Sequence, residues 1–155
     1  QQSKAVMHPS EWLSLKRSVR FSDSDAAGVM HFQQLLGWCH QAWEESLIQF
    51  GLSAANVFPG GRDNSPAIAL PIVHCHADFH APIYVGDELQ IEIKPKLLSV
   101  GCFEVVSVFQ VDGREVARGC IQHVAINPST RQRSRLPDGI SRWLEASTIG
   151  GINPC

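Results

Sequence analysis

Hydrophobic and polar positions change period along this chain, and each period predicts an element. Leu13, Leu15, Arg17, Val19 and Phe21 alternate with Ser14, Lys16, Ser18 and Arg20, the two-residue repeat of a strand. From His31 to Phe50 the repeat lengthens. Leu35, Cys39, Ala42, Trp43, Leu47 and Phe50 recur at steps of three, four and one, while Gln34, Gln41, Glu45 and Gln49 take other faces. That spacing predicts an amphipathic helix stopped by Gly51, about 20 residues and about 30 Å long, enough for the central rod of a core.

After the helix the pattern turns to β. Residues 52–65 are rich in Gly, Pro, Asn and Ser and read as a loop, and Ala67 to Phe79 is apolar enough for a well-buried strand despite Pro71. Pro82 and Gly86-Asp87 break the pattern. Leu89, Ile91 and Ile93 then alternate with Glu88, Gln90, Glu92 and Lys94, and Phe103 to Val111 makes a further strand. Asp112-Gly113 joins it to Glu115–Ile126 as a two-residue hairpin, and Asn127-Pro128-Ser129-Thr130 ends the sheet. Strand, long helix and four more strands imply an α+β domain, a five-stranded antiparallel sheet wrapped around one helix. The expected division is a flexible N-terminal segment over 1–10, one domain over 11–137, and a tail over 138–155 that is a short helix or irregular.

Composition narrows the chemistry. A chain of 155 residues with 44% apolar content suits a single core, and a net charge of −2 argues against a polyanion-binding surface, so no nucleic-acid partner is expected. Arg131, Arg133 and Arg135 cluster without interleaved aromatics and read as a solvated loop able to meet a phosphate. The five cysteines, Cys39, Cys75, Cys102, Cys120 and Cys155, are odd in number and form no C-x-x-C pair. Neither a disulfide framework nor a zinc ribbon follows, and a reduced, cytoplasmic protein is expected. Gln1 to Pro9 has no apolar run, and nothing approaches the roughly 18 apolar residues of a membrane span.

Asp23 and Asp25 stand in a turn of small residues just before the long helix. A carboxylate beside unpaired helix N–H groups can act as base or nucleophile next to an anion-stabilising pocket, whereas an arbitrary D-x-D pair more often caps a turn. Spacing alone leaves both readings open. There is no G-x-S-x-G nucleophile elbow. His74, His76 and His80 share strand parity, but no carboxylate or cysteine at a diagnostic spacing completes a metal set, so no metal is expected. Trp38 and Trp43 read as core or interface residues, and the cysteines as small core fillers.

The segment Phe21 to Phe32 resembles the F-x-D-x-D-x-x-G-x-V motif of hotdog-fold acyl-CoA thioesterases of the 4-hydroxybenzoyl-CoA type, with Met30 where Val is usual. The likeness continues through Pro71 to Phe79 and Val85 to Ile91, and more weakly to about Pro137. His40 to Leu47 is similar to the helix of cyanobacterial 1,4-dihydroxy-2-naphthoyl-CoA hydrolases, which act in phylloquinone synthesis. The resemblance implies hydrolysis of an aromatic acyl-CoA, with CoA as part of the substrate and no separate cofactor. A short-chain or fatty acyl-CoA or acyl-carrier-protein thioesterase is the alternative enzyme, and a non-catalytic acyl-CoA binding module the alternative outside enzymes.

It also implies roles. Asp25 matches the catalytic carboxylate, which attacks the thioester carbonyl or activates water, and Asp23 matches a turn-shaping position. Gly28 matches the point where the backbone turns into the helix, and Phe32 the residue whose backbone N–H polarises the thioester oxygen. His31, next to it, is a candidate to bind an aryl hydroxyl or orient Asp25, or else packs and caps. Glu44 and Glu45 lie mid-helix, where other hotdog subfamilies carry a catalytic carboxylate, and Glu44 is kept as a reserve candidate against a solvated role. A thiolate leaves readily, so one carboxylate and an oxyanion site suffice. The family's basic cluster for the CoA phosphates is replaced here by Ser99-Val100-Gly101-Cys102, so either Lys94, Lys96 or the Arg131–Arg135 run grips CoA or the carrier is acyl carrier protein. A homodimer or a dimer-of-dimers tetramer is implied, with no membrane partner.

Overall fold

The computed structural model describes residues 8–53, 57 and 66–149. A short helix α1 (Ser10–Leu13) leads into strand β1 (Ser14–Ser18), and the long helix α2 spans Phe32–Phe50. Strands β2 (Ile72–Phe79), β3 (Glu88–Ser99), β4 (Cys102–Val111) and β5 (Arg114–Val124) follow, and helix α3 (Asp138–Ile149) closes the described chain. The strands form one antiparallel sheet in the order β1-β3-β4-β5-β2, with β1 and β2 at its edges. Asp112 and Gly113 both take positive φ, 50° and 78°, as the tight β4–β5 hairpin requires.

Helix α2 lies against the sheet because its apolar positions fall on one stripe. Leu35, Trp38, Cys39, Ala42, Trp43, Ser46 and Leu47 are all buried. Gly51 ends it in the left-handed region at φ 112°, where its N–H donates to the Ile48 carbonyl and the Leu52 N–H reaches back to Leu47. The helix comes closest to the sheet at Gly119 of β5, where an added Cβ would stand 2.4 Å from Cys39 Sγ. Only a residue without a side chain permits that approach.

His123 of β5 is buried at 1% exposure, stacked on Phe103 with ring centroids 5.0 Å apart and close to Trp43 at 4.2 Å. Its Nδ1–H donates to the Leu70 carbonyl at 3.1 Å. Burial opposes the charged ring and pushes its pKa down from 6.5 to about 4, against the partial support of the Leu70 carbonyl.

Two sequence expectations change, and the structure adds detail at both ends of the described chain. Phe21, placed on the strand by alternation, sits in a 3-10 turn (Phe21–Asp23) and is 85% exposed, because β1 ends at Ser18. The run 67–79, expected as a well-buried strand, forms a strand only over Ile72–Phe79, with a register shift between Ile72 and His74, and is largely exposed, because it is an edge with β5 on one side alone. Pro71, which has no N–H to donate, sits just before it and accepts from the Val124 N–H. The segment 138–155, expected as a short helix or irregular, is helical over Asp138–Ile149 and that helix lies in the core, with Ile140, Trp143 and Leu144 buried. Two tryptophans tie it down: Trp143 Nε1 donates to Ser46 Oγ of α2, and Trp12 Nε1 of α1 to Ser147 Oγ, both at 3.0 Å. Of the N-terminal segment expected to be flexible, Ser10 already begins α1, and residues 1–7 lie outside the described residues, as does most of the 52–65 loop.

Candidate active site

The acidic turn is built from its own backbone. Asp23 Oδ2 accepts from the Arg20 N–H at 2.8 Å, and the Asp23 carbonyl accepts from the His31 N–H at 2.9 Å, which ties the 3-10 turn to the start of α2. Asp25 Oδ1 accepts from the Ala27 N–H at 2.8 Å and, more weakly, from the Val29 N–H at 3.4 Å. The Asp25 N–H donates to Val29 and its carbonyl accepts from Gly28, whose φ of 77° lets the chain reverse. Asp25 is therefore a turn cap. Its exposed carboxylate still keeps Oδ2 without a partner among the described residues, so capping and chemistry are compatible in one side chain.

The turn is laced to the segment before β3. Met30 N–H donates to the Ile83 carbonyl at 2.7 Å, and Val29 bridges Tyr84. Between the two segments lies a cavity of about 460 Å³, walled by Val29, Met30 and Phe32 on one side and by residues 79–83 on the other. Phe32 is the first residue of α2, and its N–H has no acceptor among the described residues, as expected of a first-turn donor. His31 is the helix cap, its Nδ1 accepting from the Gln33 N–H at 3.3 Å, with its ring stacked on Phe32. Asp25, Gly28, His31 and Phe32 thus converge at one end of α2.

Glu44 is not brought to that end. It lies about 18 Å further along α2 at 1.5 Å per residue, and its carboxylate pairs with His40 Nδ1 at 2.7 Å. Glu45 pairs with Arg17 of β1. His74 and His76 are exposed on β2, and among the described residues no three His, Cys, Asp or Glu side chains converge as a metal site. Trp38 and Trp43 are core residues. Burial pushes the Cys39 thiol up to about 12, and burial with the neighbouring Glu104 pushes Cys120 up to about 11, so neither offers a thiolate near neutral pH.

The sequence singles out His80 and the Arg131–Arg135 run without their placement, which the fold supplies. His80, just past β2, lines the cavity, and its Nε2 meets Glu115 Oε2 at 2.9 Å while Arg118 meets the other carboxylate oxygen at 2.7 Å. Strand pairing brings residues 35 apart in sequence together, and no local signal reports it. Further off, the 133–136 segment crosses the β3–β4 turn, with the Leu136 N–H on the Val100 carbonyl and Gly101 too close to Ser134 for any side chain. Arg133 and Arg135 thereby border a hollow of about 460 Å³ with Ser99 to Gly101. A larger hollow of about 770 Å³ adjoins it, lined in part by Arg135 and Leu136. Neither touches the acidic turn, which stands at the Glu88 end of β3, about 35 Å away at ~3.3 Å per strand residue. The cavity at Phe32 is the one that reaches the acidic turn, through Val29, whose N–H points to Asp25 Oδ1.

An antiparallel sheet curled around one long helix, whose N-terminus abuts an acidic turn, defines a hotdog fold. The chain belongs to the thioesterase-like superfamily, which it matches over residues 19–144. It is 62% identical over 148 residues to a 1,4-dihydroxy-2-naphthoyl-CoA hydrolase of Synechococcus sp. (strain CC9902), covering 96% of this chain and 99% of that relative. It superposes with TM-score 0.89 and 52% identity on a protein of Prochlorococcus marinus (strain MIT 9313) assigned as a thioesterase, over 91% of this chain and 99% of that one. A 1,4-dihydroxy-2-naphthoyl-CoA thioesterase from Synechocystis superposes with TM-score 0.77 at 30% identity, over 85% and 94%.

Proposed function

We propose that this chain hydrolyses an aromatic acyl-CoA, 1,4-dihydroxy-2-naphthoyl-CoA, to 1,4-dihydroxy-2-naphthoate and CoA, a step of phylloquinone synthesis. The observation that carries the chemistry is a carboxylate oxygen and a helix-start N–H, each without a partner among the described residues, placed by one hydrogen-bonded turn whose Val29 lines a largely apolar cavity. The close relatives named for that substrate support the acyl group. In this reading the Phe32 N–H receives the thioester carbonyl oxygen as it gains charge, and Asp25 Oδ2 supplies the base or the nucleophile. With Asp25 as base, the carboxylate takes a proton from water, the water oxygen bonds to the carbonyl carbon, the C–S bond breaks, and the thiolate of CoA leaves. A carboxylate, a backbone donor and water complete this step, so no cofactor is required.

Self-association belongs to the same reading. β2 is a long edge with exposed Ile72, Val73 and Phe79, and such an edge pairs readily with a second copy. A two-fold antiparallel seam there sets the Phe79 end of one β2 beside the Ile72 end of the other. The Arg133 and Arg135 hollow of the partner then lies toward the acidic turn, where its guanidinium groups can hold the CoA phosphates. The unpaired Cys39, Cys75, Cys102 and Cys120 are in keeping with the cytoplasm, and among the described residues no helix is long and apolar enough to cross a membrane.

The test is thiol release measured on aryl-, short-chain and long-chain acyl-CoA and acyl-carrier substrates. The reading expects the highest kcat/KM for the dihydroxynaphthoyl thioester. A preference for fatty acyl substrates refutes the acyl assignment, and saturable binding without thiol release refutes the enzyme. Single turnover in labelled water distinguishes the two roles of Asp25, since only a nucleophile acquires label in its own carboxylate.

A further inference from the structure

We propose that His80 is the specificity-determining acceptor for a hydroxyl on the acyl ring, and that Glu115 is the positioning residue that makes it one. The inference rests on the aromatic acyl-CoA reading above and extends it. The cavity beside Phe32 is walled by Val, Met, Phe, Ala, Pro and Ile side chains, and among the described residues that line it His80 is the one whose side chain carries nitrogen or oxygen. A ring hydroxyl entering that cavity meets one polar side chain.

The tautomer follows from the partners. Glu115 is fixed by Arg118, whose guanidinium at 2.7 Å holds the carboxyl below the usual carboxylate range, so Glu115 is ionised and accepts only. His80 Nε2, at 2.9 Å from Glu115 Oε2, therefore carries the ring proton in the neutral imidazole. Nδ1 is left with a bare lone pair and no partner among the described residues. The backbone fixes the base of the side chain, because the His80 and Ala81 N–H groups both donate to the Val116 carbonyl, at 2.8 and 3.2 Å. A hydroxyl is a donor that such an acceptor can take in place of solvent at this half-exposed ring, while an unsubstituted ring offers it no donor.

The inference is tested by kcat/KM on 1,4-dihydroxy-2-naphthoyl-CoA and 2-naphthoyl-CoA for wild type, His80→Phe and Glu115→Gln, with nitrogen NMR of the His80 ring in the free protein. Wild type is expected to favour the hydroxylated substrate by about tenfold or more, the worth of one hydrogen bond. His80→Phe is expected to bring that ratio near one by losing activity on the hydroxylated substrate alone. Glu115→Gln, whose amide can donate to Nε2, is expected to lower the ratio and to move the ring proton to Nδ1. Should wild type cleave neither thioester, the aromatic acyl-CoA reading itself fails. Should wild type cleave both with equal efficiency, or His80→Phe keep the full preference, His80 is not the hydroxyl acceptor and the activity stands without it. An Nδ1–H tautomer in the wild type overturns the part assigned to Glu115.

Discussion

Acidification should unfold this protein through His123 in a way that one substitution removes. The folded chain holds the ring neutral, with a pKa pushed down to about 4, while the unfolded chain titrates at the ordinary 6.5. Below pH 6.5 the unfolded state takes the proton first, so stability is complete above 6.5 and declines as pH falls toward 4. Between pH 7 and pH 4.5 the two values give a loss of about 2 kcal/mol from this group alone, with a slope on the order of 1 kcal/mol per pH unit in mid-window. That is a substantial share of the roughly 5–15 kcal/mol by which a domain is stable. Replacing His123 by Phe keeps a flat ring between Phe103 and Trp43 and removes the titration. It also leaves the Leu70 carbonyl without its donor, which should cost about 1 kcal/mol at pH 7. The measurement is urea unfolding at fixed protein concentration at pH 7 and at pH 4.5 for both proteins. Carboxylates titrate in both, so the informative quantity is the difference between the two pH-induced losses. We expect the wild type to lose about 2 kcal/mol more than His123→Phe. Equal losses would refute the claim that the buried ring is held neutral.

Three other outcomes follow from the same fold. Asp25→Asn keeps the Oδ1 acceptor for Ala27 and removes the charge, so thiol release should fall at least about a hundredfold, in the range of lost acid–base catalysis, with the thermal midpoint nearly unchanged. Gly119→Ala drives a methyl against Cys39 and should cost ~1–3 kcal/mol in thermal unfolding, the usual range of overpacking, and Cys39→Ala in the same chain should return part of it. Charging the open edge with Ile72→Lys and Val73→Lys should lower the mass seen by light scattering and lower activity with it, and an unchanged mass would rule out β2 as the seam.

The long helix was legible because a 3.6-residue repeat held over five turns and Gly51 punctuates its end. The hairpin at Asp112-Gly113 was legible for a similar reason, since few residue pairs accept two positive φ angles. Asp25 stood out through a family motif, and its spacing alone fitted a turn cap, which it also is. Other features depend on distant partners. The run 67–79 is apolar as an edge that presents one row of N–H and C=O groups to β5, and composition does not separate such an edge from a central strand. Helix α3 carries Ile140, Trp143, Leu144 and Ser147 at helical steps, but only the waiting Ser46 hydroxyl and Trp12 ring show that the stripe is core. His80 reads from sequence as a third strand histidine, whereas the fold gives it Glu115 and a place in the cavity wall.

Two of the hydrogen bonds that close the acidic turn are accepted by the Asp25 carboxylate itself. In a library screened for surviving protein, Asp25 should therefore tolerate few replacements even with no selection for turnover. Depletion at this position cannot be read as evidence of catalysis. Asn is the substitution that separates the two, because it keeps the cap and loses the base, and a screen for abundance should retain it where a screen for thiol release does not. A natural chain of this fold carrying Asn at this position would be expected to fold normally and bind acyl-CoA without cleaving it.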